Sequence, residues 1–201
     1  MAVNAISIER KAFTVGEYEQ MISAGVLSED ERLELIEGEI LAMSPIGGLH
    51  IQVVNRLNRL LVLLLKDQAV VSIQNPVRLR NSEPQPDVAI LRSTVNDRPV
   101  GVPRASDVVL VVEVADTSVD LDRTIKIPLF GREGIPEAWL VDLAQGSIEV
   151  YRGPGPSGYR NKQTLGASDF LTIEAIADTR LLVDDILGGL LPQPQQTQQN
   201  P

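Results

Sequence analysis

Apolar residues recur at helical spacing in two stretches of the chain and at strand-like spacing in most of the others. Thr14 stands three residues before Glu17, and Val15, Tyr18, Met21 and Ile22 follow at helical intervals, which predicts a short capped helix within 13–30. From Leu49 to Lys66, the positions Val53, Val54, Leu57, Leu60, Leu61, Leu64 and Leu65 form one broad stripe, the mark of the main buried helix. Between these helices, Leu33, Leu35, Ile36, Ile40 and Leu41 flank Glu37-Gly38-Glu39, a pattern that predicts a hairpin over 32–43. Three short β-rich runs follow at 70–73, 77–79 and 87–91. Asn75-Pro76 and Glu83-Pro84-Gln85-Pro86 separate them, and these prolines mark strand entrances rather than centres.

The run Val108–Val114 is almost continuously aliphatic, as expected of a central strand covered on both faces. A helix is predicted over 122–133 with Gly134 as its stop, then a strand over 138–143 and a hairpin over 147–163 turning at 153–158. Residues 180–187 read as a last strand or helix, and the Gln- and Pro-rich 188–201 as a disordered tail. The expected product is an α/β (α+β-like) fold: a single domain over 1–187 whose mixed central sheet is flanked by helices.

Composition narrows this picture. Hydrophobic residues make up 43% and charged residues 22%, which suits a folded globular chain and not a disordered one. There is no cysteine, so a disulfide framework and a thiolate zinc site are excluded, and a reducing, cytoplasmic setting fits. The N-terminus lacks a basic region followed by an apolar core, and Asn55, Arg56, Asn58 and Arg59 interrupt the most apolar helix, so neither secretion nor membrane spanning is expected. A net charge of −9 opposes a surface broadly built to attract phosphate backbones. If nucleic acid is the partner, local basic residues such as Arg56, Arg59, Arg78 and Arg80 must meet it. The chain also lacks a glycine-rich phosphate loop, an H-E-x-x-H motif and a nucleophile elbow, and its one histidine is His50.

Two carboxylates carry the candidate chemistry. Glu113 interrupts the most apolar strand, where an unpaired carboxylate is costly to bury, and Asp87 opens another strand directly after Pro86. Placed at one end of adjacent strands they repel each other unless a cation lies between them, and Mg²⁺ is the usual choice where substrate phosphates complete the shell. The bland alternative has Asp87 capping a turn and Glu113 paired with Lys126 or an arginine.

Pro86-Asp87 followed by Glu113-Val114-Ala115 resembles the PD-(D/E)XK nuclease signature. The ordered series Glu34–Glu39, Met43–Pro45, His50, Pro86-Asp87, Val112–Val114, Asp122 with Lys126, and Gly134–Asp142 is similar to the Uma-two family of restriction-endonuclease-like proteins, over about residues 13–187. The resemblance implies a restriction-endonuclease-like core with Asp87 and Glu113 as metal ligands and Glu34 as a third ligand or an outer acceptor. Glu37, the other acidic candidate near that turn, reads better as an exposed turn charge. Ala115 departs from the superfamily pattern, which has the catalytic lysine there; in the Uma-two family the lysine comes from the next helix, which points to Lys126 with Asp122 four residues before it. The same spacing also makes an ordinary helix-stabilising pair, and Pro128 leaves open whether Lys126 lies inside the helix or in the turn before it. His50 matches the family's histidine at the long helix's entrance, where it would contact a phosphate, orient a ligand carboxylate, or simply cap or face solvent. The expected activity is Mg²⁺-dependent endonuclease cleavage of DNA, with Mn²⁺ as a substitute and a homodimer as a way to cut two strands. The rival expectation is a nuclease fold that binds nucleic acid or protein without catalysis.

Overall fold

The computed structural model describes residues 10–28, 31–43, 45–94 and 101–189. The predicted tail lies outside them apart from Gly188 and Gly189. The first helix, α1 (Val15–Ser23), starts with the predicted capping box, in which the Glu17 backbone N–H donates to Thr14 Oγ1 and the Thr14 N–H donates to the Glu17 carboxylate. The hairpin β1 (Leu33–Ile36) and β2 (Glu39–Ala42) turns at Glu37 and Gly38, both at positive φ, as a two-residue hairpin turn of the right twist requires.

The chain then runs through α2 (Gly48–Leu65), β3 (Ala69–Ile73), β4 (Val88–Arg92) and β5 (Val108–Ala115). A crossover follows, made of α3 (Val119–Leu121), a π-helical turn (Asp122–Lys126) and α4 (Ile127–Arg132). The remaining elements are β6 (Glu137–Asp142), β7 (Ser147–Gly155), β8 (Gly158–Leu165), the short pair β9 (Phe170–Leu171) and β10 (Leu181–Leu182), and α5 (Val183–Leu187). The predicted "strand or helix" at 180–187 is therefore both, β10 running directly into α5. Among the described residues no helix is long and apolar enough to cross a membrane.

Strands β3 to β8 form a six-stranded sheet in sequence order, mixed as expected: β5 and β6 are parallel and every other neighbouring pair is antiparallel. The parallel pair exists because the crossover returns the chain to the same sheet end before β6 starts. Helix α2 packs on one face with α5, burying Val53, Leu57, Leu61, Val112, Trp139 and Ile186 in one core. The crossover covers the other face, where Ile127, Phe130, Val111, Ala115 and Leu140 form the second. All eight residues of β5 are buried, so the unbroken aliphatic run reflects cover on both sides.

One predicted strand is corrected. Residues 77–79 do not join the sheet: Arg78 makes only an isolated bridge to Arg104, while Val77 and Leu79 donate their N–H groups to Pro84 and Ser82. The flanking prolines divert this run into a local loop that buries two apolar side chains without a ladder.

Helix α4 meets the β7–β8 hairpin at glycine. A Cβ on Gly131 would fall 2.6 Å from the Gly158 carbonyl carbon, a clash with backbone that no side-chain rotation relieves. Gly131→Ala is therefore expected to lower unfolding free energy by about 1–3 kcal/mol, the range for overpacking. Denaturant melts of the two proteins check this, and a difference under about 0.5 kcal/mol would show that the hairpin yields freely.

Candidate active site

Asp87 precedes β4 by one residue, and the register Val88↔Val112 sets it beside Glu113 on β5. Alternation along β5 turns Val112 and Val114 toward α2 and Glu113 toward the crossover. Glu34 arrives from β1 and Lys126 from the π turn. Glu34, Asp87, Glu113, Asp122 and Lys126 are all buried, and with His50 they line one pocket of about 400 Å³.

Asp87 is tightly held. Its Oδ2 lies 2.9 Å from His50 Nε2 and accepts the Val114 backbone N–H at 2.9 Å, while Oδ1 accepts from the Gln74 side chain at 3.1 Å. Burial alone would raise its pKa, but the bond and charge of His50, with the Val114 and Gln74 bonds, hold the carboxyl below the ordinary aspartate value.

Glu113 is in the opposite condition. Its Oε1 lies 2.7 Å from Lys126 Nζ but outside hydrogen-bond geometry, so this buried atom has ionic contact without a hydrogen bond. Burial, reinforced by Asp122, Asp87 and Glu34 and only partly opposed by Lys126, raises its carboxyl well above the usual range. Lys126 also donates to Glu34 Oε1 at 3.1 Å, and Glu34 Oε1 accepts the Gln85 backbone N–H at 2.6 Å. Burial disfavours the ammonium, yet Glu113, Glu34 and Asp122 outweigh it and push the lysine pKa up. Asp122 accepts from Ser118 Oγ at 2.7 Å, and burial raises its carboxyl against the pull of Lys126 and Ser118.

The π turn explains how Lys126 arrives. Pro128, near the start of α4, has no N–H to donate backward and its ring crowds the preceding turn. The wider π turn takes up that crowding and lets Asp122 and Lys126 both be buried at the pocket. Lys126 thus lies inside a helical segment, and its ion pairs go to Glu113 and Glu34. Arg123 pins the turn from its other side, donating to Glu149 at 3.1 Å and to Asp142 at 3.0 Å at the ends of β7 and β6.

The structure thus brings together Asp87, Glu113, Glu34, Lys126, His50 and Asp122. Glu37 stays outside, exposed and paired with Arg132. The basic residues expected to meet a substrate are elsewhere: Arg56 bonds the Ile186 carbonyl, Arg78 pairs with Glu19 and Glu83, and neither Arg59 nor Arg80 lines the pocket. Arg32 lines it instead. Sequence reasoning also missed Gln74 and the Gln85 N–H. A glutamine in a left-handed turn (φ 50°) and a backbone donor carry no sequence signal.

Among the described residues no three carboxylate or imidazole groups converge closely enough to cage an ion. Mg²⁺ does not require that: one or two carboxylates, completed by waters and substrate phosphates, are its usual protein share. Four buried carboxyl groups surround one buried lysine, and Glu113 Oε1 lacks a hydrogen bond, a set of oxygen donors in which Asp87 and Glu113 would be the ones to hold a divalent cation.

The architecture and pocket place the chain in the nuclease-fold class. It is similar to the crystal structure of a "putative nuclease belonging to DUF820" from Anabaena variabilis ATCC 29413, with a TM-score of 0.71 at 17% identity, covering 89% of this chain and 99% of that one. The chain belongs to the Uma2 family, described as "Putative restriction endonuclease", whose model matches residues 15–184. No curated protein matches it.

Proposed function

We propose that the protein is a divalent-metal-dependent endonuclease that hydrolyses phosphodiester bonds of DNA. The convergence of Asp87, Glu113 and Lys126 in one pocket where carboxylates outnumber cations carries this reading. When bound, Mg²⁺ supplies Lewis acidity and a lowered pKa for a coordinated water. A carboxylate offers about four lone-pair directions, and the three bonds to Asp87 leave room for one further partner while fixing the group's orientation. Lys126 is a three-proton donor that hydrogen-bonds Glu34 and makes an ionic contact with Glu113, so it keeps donor capacity for a phosphate oxygen as its charge grows. The ammonium that the general motif delivers from position 115 reaches Glu113 from position 126 instead. Symmetric pairing of two chains would supply two sites for cutting a duplex, and a reducing cytoplasm suits a chain without cysteine.

The rival reading, a nuclease-fold module without catalysis, is favoured by one observation: Lys126 already pairs with both Glu34 and Glu113. A titration of Mg²⁺ and Mn²⁺ with supercoiled and single-stranded DNA decides between the two. Cutting that requires metal and stops with a chelator, with a metal-dependent rise in melting temperature, is expected. No cutting and no metal-dependent stabilisation would favour the module.

A further inference from the structure

The chemistry-bearing groups lie at the bottom of a recess. Asp87, Glu113 and Lys126 are each no more than 6% exposed, and the pocket above them, about 400 Å³, has the size of a small-molecule site. Its lining is divided. The acidic floor is bordered by Leu41 of β2, by Met43, Pro45 and Ile46 between β2 and α2, and by Leu121 from α3. Leu121 is 40% exposed on a short helical turn. A phosphate has no use for such a wall, whereas the face of a nucleobase does. In an intact duplex that face is covered by its stacked neighbours, and only base edges are offered to a protein.

Charge points the same way. Arg32, Lys126 and, when protonated, His50 are the cations lining the pocket, against Glu34, Asp87, Glu113, Asp116 and Asp122. Among the described residues the lining offers few cations with which to grip the phosphates of an intact duplex, which favours contacts made within the recess.

On the reading of the site as a nuclease, we infer that its substrate is an unstacked DNA nucleotide, which enters the recess with its base against the wall of Leu41, Met43, Pro45, Ile46 and Leu121 and its phosphate toward Asp87 and Glu113. A single strand supplies such a nucleotide directly, and an unpaired bulge in a duplex supplies it locally.

The test uses the full chain, Mg²⁺ and one end-labelled 30-nucleotide DNA presented in three ways: single-stranded, fully paired, and paired around a central two-base bulge. The single strand is expected to be cut about tenfold or more faster than the full duplex, and the bulged duplex to be cut at the bulge. Leu121→Ser should raise KM for the single strand about fivefold and change kcat less than twofold, with an unaltered metal-induced shift in melting temperature. Cleavage of the full duplex at a rate equal to or above that of the single strand overturns the inference and leaves the nuclease standing. An unchanged KM in Leu121→Ser overturns it as well. No cleavage of any of the three overturns both.

Discussion

Asp87→Asn is expected to reduce DNA cleavage at least ~100-fold, the scale seen when even an outer partner of a metal ligand is removed. The substitution keeps the side chain's shape and its ability to accept the Val114 N–H, so the end of β4 and its register with β5 should persist. What is lost is the anionic oxygen that a hard cation prefers. The far-UV spectrum should therefore match that of the unaltered protein, while the metal-induced rise in melting temperature disappears. Cleavage that survives Asp87→Asn in a preparation free of contaminating nuclease would remove Asp87 from the chemistry and with it the proposed metal site.

Lys126→Met should abolish cleavage and also weaken the fold, because it leaves Glu34 and Glu113 buried without their cation. Removing one partner of a buried ion pair costs about 3–5 kcal/mol, and this pair is almost fully enclosed. Methionine preserves most of the apolar stem, so the loss reflects charge more than volume. The sharper expectation concerns metal. With the ammonium gone, the two glutamates are available to a divalent cation, so Mg²⁺ should raise the melting temperature of Lys126→Met more than that of the unaltered protein. If Lys126 serves only to neutralise buried carboxylates, saturating metal will restore both stability and cleavage. Restored stability without cleavage assigns the lysine to the reaction.

These expectations rest on groups that differ in how far they were visible along the chain. Glu113 stands out because a carboxylate inside an eight-residue buried strand has to be compensated, and burial patterns are local. Asp87 is visible as a strand-opening acid after proline. The resemblance pointed to Lys126, but its neighbour Pro128 left its place undecided until the π turn was seen to carry it into the pocket. Arg56, Arg59, Arg78 and Arg80 looked like substrate contacts because charge is readable without direction. Folding turned them toward α5, toward acidic partners or away from the opening.

The chain alone determined the mixed sheet, the two main helices and the two carboxylates, since each follows from hydrophobic period, turn residues or the cost of burial over a few neighbouring positions. Tertiary structure decided the rest. The Val88↔Val112 register put Asp87 beside Glu113, and the hairpin β1–β2 brought Glu34 across 92 positions of sequence to Lys126. A glutamine side chain and two backbone N–H groups became the donors that hold Asp87 and Glu34 in place. Such partners depend on where distant segments meet, and the free energy that sets those meetings is spread over both cores of the sheet rather than written at any one residue.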